Sequence, residues 1–265
     1  MSAADRLRVL ISFDSCHPTQ ELLSLLPQLL GPAELELTGL YVEDEDLARA
    51  ARLPLLREVT LKGQLSQLNE ERVRDEQSRE AAAIRGAFEQ LASRMRLQHR
   101  FIVTRGRATE ELVRIAGDAD FVMVARALRT SGLRARSGTH YGALVRQPKN
   151  MLFVNEPWRS GSSIVVLHGT PQATASGRRF AAADDLPLIL AVPPQEARGA
   201  MGTEDLPEGV ARRVVLSSWS EEAIADLCLA EDARLLVVPR TDNLDLSELL
   251  PKLMDRLPCS VLQLG

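Results

Sequence analysis

Two stretches of this chain can be laid over one another almost in register. "ATEELVRIAGDADFVMVAR", residues 108–126, and "WSEEAIADLCLAEDARLLVVPR", residues 219–240, both set a Thr or Ser before or within a Glu-Glu helix start. Both then end on an apolar run closed by Arg. Thr109 and Ser220 are read as helix caps, with Glu110 and Glu111 placed on the positive end of their helix dipole. The order of elements matches on both sides of these blocks, and a repeated order at this period marks a duplicated unit.

In the first unit "LRVLISFD" reads as a strand and "SCHPTQELLSLLPQLLG" as a helix that Ser15 or Thr19 caps and Gly31 ends. "ELELTGLYVED" is the second strand, and "RDEQSREAAAIRGAFEQLASRMRLQ" has helical periodicity. "HRFIVTRG", "DFVMVAR" and "NMLFVNE" follow as strands, with helices over "TEELVRIAGDA" and "HYGALVRQ" between them. The second unit restarts at "SSIVVLHGT" and continues through "LPLILAVPP", "ARRVVLSS", "RLLVVPR" and "CSVLQLG" as strands. Its helices are "ATASGRRFAAADD", "SEEAIADLCLAEDA" and "LSELLPKLMDRL". Apolar runs without alternation predict strands buried on both faces, hence mainly parallel sheets covered by helices. The expected fold is α/β: two tandem open five-stranded units of Rossmann-like type, residues 1–156 and 162–265. "NEPWRSGSS", with Pro157 and Gly161, is the expected linker. Between "LILAV" and "RRVVL" the second unit has only a Pro- and Gly-rich segment, so it is expected to lack the first unit's long second helix.

Composition narrows the function classes. Net charge is −4, which argues against general nucleic-acid binding, because neutralising phosphates needs a concentrated excess of Lys and Arg. The first 158 residues carry 22 basic and 21 acidic side chains and the remainder 10 and 15, so the second unit reads as the more passive one. Cys16, Cys228 and Cys259 are odd in number and contain no CxxC, which indicates neither a disulfide framework nor a structural zinc site. The opening run has no signal-peptide pattern and no stretch approaches a transmembrane length, so a cytoplasmic location without a membrane partner is expected.

Ligands of open parallel α/β sheets bind at the carboxyl ends of the strands. In the first unit those ends lead to Asp14, to Val42 through Asp44, to Arg105 and Gly106, and to a segment without one acidic residue. That segment, residues 124–149, carries Arg126, Arg129, Arg134, Arg136, Arg146 and Lys149. It reads either as an anion contact or as a solvated face. In the second unit the ends lead to His168 and Gly169, Pro193 and Pro194, Ser217 and Ser218, and Arg240 through Asp242. Only the first set puts a carboxylate opposite a basic segment.

"RVLISFDSCHPTQELL" and "LTGLYVEDE" are similar to the first strand, Asp and helix, and to the second strand, of universal stress proteins. The resemblance covers the whole chain as a tandem pair, closer in the first half. It implies an adenine nucleotide site marked after the fourth strand by Gly, two residues, Gly, nine residues, then Gly with Ser or Thr. Asp14, Val42, Gly138 and Thr139 take positions of that pattern. The two phosphate-loop glycines do not carry over: they fall on Val124 and Ala127, and ten residues separate Ala127 from Gly138. A Cβ obstructs the close approach of backbone amides to phosphate. Gly132 restores some freedom, and Arg126 and its neighbours supply charge in place of the backbone. In the second unit His168 stands near the place of the Asp, and "VVPRTDNLDLSELL" replaces the Gly-rich loop, so no nucleotide is expected there.

The expectation is therefore a non-enzymatic regulatory or binding protein of universal stress type with a degenerate nucleotide site and no tightly held cofactor. The alternative is a switch that binds ATP or AMP in the first unit and controls docking to a protein partner. The two units would form an intramolecular pseudo-dimer, with a homodimer of the chain also compatible. Other features keep plainer readings beside sharper ones. Asp14 contacts a ribose or base, or caps the next helix. Cys16 and His17 lack a third group for nucleophilic catalysis, and His140 reads as a capping or packing imidazole. The run "EDED", Glu43 to Asp46, is a metal ligand set or a solvated loop; the stretch from Asp75 to Met95 reads as sheet-covering helix, and the segment before it, "ARLPLLREVTLKGQLSQL", residues 51–68, is the alternative candidate for an interaction surface.

Overall fold

The uninterrupted apolar runs become strands whose side chains are buried on both faces. The computed structural model describes residues 6–13, 23, 26, 30, 34–53, 57–59, 65–67, 69–126, 141–155, 158, 161–194, 206–241, 245–257 and 259–265. The first half contains β1 (Arg6–Phe13), β2 (Glu34–Asp44), α1 (Glu45–Ala50), β3 (Arg57–Val59), β4 (Leu65–Gln67) and α2 (Glu70–Arg94). It continues with β5 (Gln98–Gly106), α3 (Ala108–Ala116), β6 (Phe121–Arg126), α4 (Tyr141–Val145) and β7 (Asn150–Asn155). The second half contains β8 (Ser163–Leu167), α5 (Pro171–Asp184), β9 (Leu188–Val192), β10 (Arg212–Val215), α6 (Glu221–Ala230), β11 (Ala233–Pro239), α7 (Leu246–Arg256) and β12 (Ser260–Leu264).

The main sheet has ten strands in the order β10-β9-β8-β11-β12-β7-β6-β1-β2-β5. Within each half the spatial order is third, second, first, fourth, fifth strand, and every pairing is parallel. The two fifth strands, β7 and β12, pair antiparallel, with Leu152 opposite Leu262. The expected pair of open sheets is thus one continuous sheet joined edge to edge, which removes two unpaired strand edges at once. Helices cover both faces. One core layer holds Phe13, Phe88, Trp158 and Phe180, the other Leu112, Phe153, Ile224 and Leu253. Each layer draws on both halves, so apolar packing is continuous across the join.

Helix α2 shows why its residues form that element. Asn69 accepts a hydrogen bond from the Glu71 N–H as N-cap, and Val73, Gln77, Ala81, Ile84, Phe88 and Ala92 bury one stripe at helical spacing. The helix starts four residues earlier than its periodicity suggested and ends at Arg94; Arg96 turns left-handed (φ 55°) and releases the chain into β5. Leu23, Leu26 and Leu30, between β1 and β2 in sequence, are helical, the first two buried, and the other residues of that expected helix lie outside the described residues.

Several local expectations are corrected. Thr109 does not cap α3. The extended backbone of β5 carries to Arg107, which occupies the N-cap without a side-chain capping bond, and Thr109 sits in the first turn. Ser220 does cap α6, accepting from the Ala223 N–H. The run from Glu43 to Asp46 is not a loop: β2 runs through Asp44, which caps α1 by accepting from the N–H groups of Asp46 and Leu47, and among the described residues no group of three or more His, Cys, Asp or Glu could hold a metal ion. Residues 57–59 and 65–67 form a short antiparallel hairpin. The linker is anchored rather than free. Asn155 and Trp158 are buried, and Gly161 adopts φ 100° where a Cβ would fall 2.6 Å from the Arg234 nitrogen.

Among the described residues no helix is long and apolar enough to cross a membrane. Cys228 and Cys259 are buried and hydrogen-bonded to each other, and that bond together with burial lifts the Cys228 thiol well above the usual thiol range.

Candidate functional site

A parallel sheet in this strand order reverses its winding between the first and fourth strands, so the crevice at their carboxyl ends is the place for a ligand. In the first half these are β1 and β6, whose ends are level: Phe13 is aligned with Ala125. The chain leaves them toward Asp14 on one side and, beyond Arg126, toward residues 127–140 on the other.

Of the residues that the sequence nominated, Val42 is described fully. It lies half-buried on β2, level with Thr104 of β5, and packs on the core layer beneath α3. The backbone of Arg126 is the last residue of β6, level with Asn155 of β7. Asp14, Gly132, Gly138 and Thr139 lie outside the described residues, as do Cys16, His17 and His140. Val124 lies within the expected fourth strand. It is a buried strand residue paired between Ser12 and Phe153, so the fourth strand runs two residues beyond the position where a phosphate loop's first glycine would stand.

Next to Val42 the rim is a chain of ion pairs. The Arg105 guanidinium donates to Glu43 at 2.8 and 3.0 Å, and Arg107 reaches Asp46 at 3.2 Å and Glu110 at 3.1 Å. Glu111 accepts from the Thr104 hydroxyl at 2.9 Å and pairs with Arg114, and these bonds, Arg114 foremost, hold its carboxyl below the usual range. Tyr41 donates to Glu80 at 2.9 Å, tying β2 to α2. At the base of α1 and α2, Arg52 and Arg74 both donate to Glu70, holding its carboxyl at about 2. A depressed carboxylate contributes stability above its unfolded pKa, near 4.5, and loses it as pH falls toward about 2. NMR titration is therefore expected to place the Glu70 midpoint near 2, and Arg52→Ala to move it upward; a wild-type midpoint above 4 would contradict the bidentate geometry.

The basic segment divides. The Lys149 ammonium donates at 2.6 Å to each of the carbonyls of Ala116, Gly117 and Ala119, satisfying the C-terminal end of α3, and so leaves the anion-binding set. Arg146 is exposed just past α4.

In the second half the equivalent strand ends pack closely: at Gly169, after β8, a Cβ would fall 2.7 Å from Thr241 Cγ2 and 2.9 Å from Pro239 Cγ. His168 is half-buried there, its N–H donating to the Ala191 carbonyl. Arg240 donates to the carbonyls of Val145 at 2.6 Å and Gln147 at 2.9 Å, across the join at the end of α4. The sequence placed Arg240 among the second unit's strand ends and at the close of the repeated block, not at the join between the halves. The matching Arg at the end of both fourth strands was the signal that could have drawn attention to it.

No family model matches the chain, and no curated protein matches it at a meaningful level. Solved structures do. A universal stress protein from Archaeoglobus fulgidus DSM 4304 superposes over 97% of this chain and 96% of its own with a TM-score of 0.58 at 13% identity. A protein of unknown function from Pseudomonas aeruginosa PAO1 covers 99% of this chain and 92% of its own, with a TM-score of 0.50 at 13% identity. Over nearly its whole length, the chain has the α/β fold of a universal stress protein.

Proposed function

We propose that this chain is a non-enzymatic regulatory binding protein of universal stress type, a tandem of two such units of which only the first keeps a ligand crevice. The observation that carries this reading is the contrast between the two strand ends. After β11 the space is filled by Pro239 and Thr241 over Gly169. After β6 the chain enters an acid-free segment with Arg126, Arg129, Arg134 and Arg136, beside the end of β1. With Val124 built into the strand and Ala127 in place of a glycine, backbone amides are not the main phosphate holders. Arginine side chains take that part, giving a weak, salt-sensitive site for a polyphosphate such as that of ATP rather than a tight nucleotide cradle.

Titration of the full chain with tripolyphosphate and with ATP by calorimetry tests this. Binding is expected to weaken as salt rises, and changing Arg126, Arg129, Arg134 and Arg136 together to alanine is expected to cost tenfold or more, roughly the worth of one charge-assisted hydrogen bond. Unchanged affinity in that variant would overturn the assignment. Near-stoichiometric ATP or AMP released on denaturing the purified protein would show that the cradle is not degenerate, and the switch controlling a partner would then stand.

A further inference from the structure

Two of the three cysteines meet in the core of the second half. Cys228 lies on the buried stripe of α6 with Ile224, Ala225 and Leu227. Cys259 stands immediately before β12, whose alternate residues face opposite layers. Cys259 and Val261 belong to the layer that α6 packs into, Leu262 and Leu264 to the other. The two thiols, 31 residues apart in sequence, are hydrogen-bonded to each other, with Cys228 3% exposed and Cys259 4%. Among the described residues no group of three or more His, Cys, Asp or Glu could hold a metal ion, so the pair lacks the further ligands of a zinc site.

What such a pair can do depends on whether α6 is closed. In the closed fold burial and the mutual bond keep the Cys228 thiol protonated at neutral pH, whereas the thiolate is the form that attacks an oxidant. The sulfurs become accessible when α6 lifts from the sheet. This ten-residue helix follows β10, the four-residue strand at one edge of the main sheet. Polar bonds hold both of its ends: Arg256 donates to Glu221 at 3.1 Å, and Ser163 Oγ donates to the Glu231 carbonyl at 2.8 Å. A short element beside a sheet edge opens at a lower free energy than the centre of the core.

We infer that Cys228 and Cys259 are a peroxide-sensitive dithiol that closes to an intramolecular disulfide between α6 and the start of β12. One thiol, as thiolate, attacks an oxygen of hydrogen peroxide; the O–O bond breaks, the sulfur becomes a sulfenic acid, and the leaving hydroxide takes up the thiol's proton as water. When α6 recloses, the second sulfur attacks the sulfenic sulfur. An S–S bond forms, the S–O bond breaks, and the departing hydroxide takes up the second thiol's proton. Two thiols have then lost two electrons, and one peroxide has become two waters. Contact in the closed fold gives the sulfenic acid its partner before further oxidation. The cross-link restricts the unfolded chain over the intervening residues and so favours the closed state. It also reaches the join, because the Cys259 carbonyl accepts from Asn155 Nδ2 at 3.0 Å.

The test uses the full chain as wild type and as Cys16→Ser, which leaves Cys228 and Cys259 as its thiols. Each is treated with hydrogen peroxide, in buffer and in urea below the unfolding transition, then denatured, alkylated and digested for mass spectrometry. Both proteins are expected to yield the Cys228 peptide cross-linked to the Cys259 peptide. The cross-link should form about tenfold faster in the urea samples, because opening of α6 limits the reaction. The oxidised protein should unfold at a higher urea midpoint than the reduced one, and dithiothreitol should return it to the reduced value. Recovery of both thiols alkylated, under peroxide that oxidises the denatured chain, would overturn the inference. Sulfinic acid at either cysteine without the cross-link would do the same, as would a cross-linked form whose midpoint is no higher than the reduced one.

Discussion

Phe88→Ala is expected to lower the unfolding free energy by about 4 kcal/mol, the usual range for emptying a fully buried aromatic site. Phe88 is completely buried on the inner stripe of α2. Its ring stands edge-on to Phe13 at 5.8 Å between centroids and tilted to Phe101 at 5.6 Å, with His99 edge-on at 6.0 Å. These contacts hold the longest helix against β1, β2 and β5, and such pairs add to simple burial. Collapse around the gap is restricted because Phe101 already lies over Gly39, where a Cβ would meet its ring at 2.5 Å. Urea denaturation at unchanged slope is the measurement. A loss under about 1 kcal/mol would mean that α2 is held by its rim bonds, such as Tyr41 to Glu80, and not by this cluster.

The central strands were legible because they are apolar along both faces, as a buried parallel strand needs to be. "ELELTGLYVED" became β2 residue for residue. The join was not legible for the same reason. "NMLFVN" and "SVLQL" look like the other strands, and nothing in them states that they pair with each other, as Phe153 and Val261 do across 108 residues. Local propensity misled where a distant group decides. Thr109 reads as a cap until β5 is seen to stay extended through Arg107. Lys149 was counted with the arginines because it is near them in sequence, whereas its ammonium belongs to the end of α3. For the site, the level ends of β1 and β6 follow from strand order, and so does the nomination of Val42 and Arg126. Val124 was legible as strand from its β-branched, apolar run "DFVMVAR", and it is buried in β6.

Asn155→Ala is expected to cost about 3 kcal/mol, since it orphans two buried carbonyls at once. Asn155 ends β7, and its Nδ2 donates to Leu257 at 3.2 Å and Cys259 at 3.0 Å while its N–H donates to Ser260 Oγ at 2.9 Å. All three partners belong to the second half, so the loss falls on the join. Ser260→Ala leaves only the Asn155 N–H without its acceptor and should cost nearer 1 kcal/mol. The shape of the transition is as informative as its midpoint. β7 lies between β6 and β12, and each core layer crosses the join, so the variant should still unfold in one step at a lower urea midpoint. Two separated transitions would make the halves independent folding units that merely touch. In that case displacement of the second half would leave the first intact, although β7 would lose its β12 partner. A single transition places β7, β12 and the hydrogen bonds that join them in one cooperative structure.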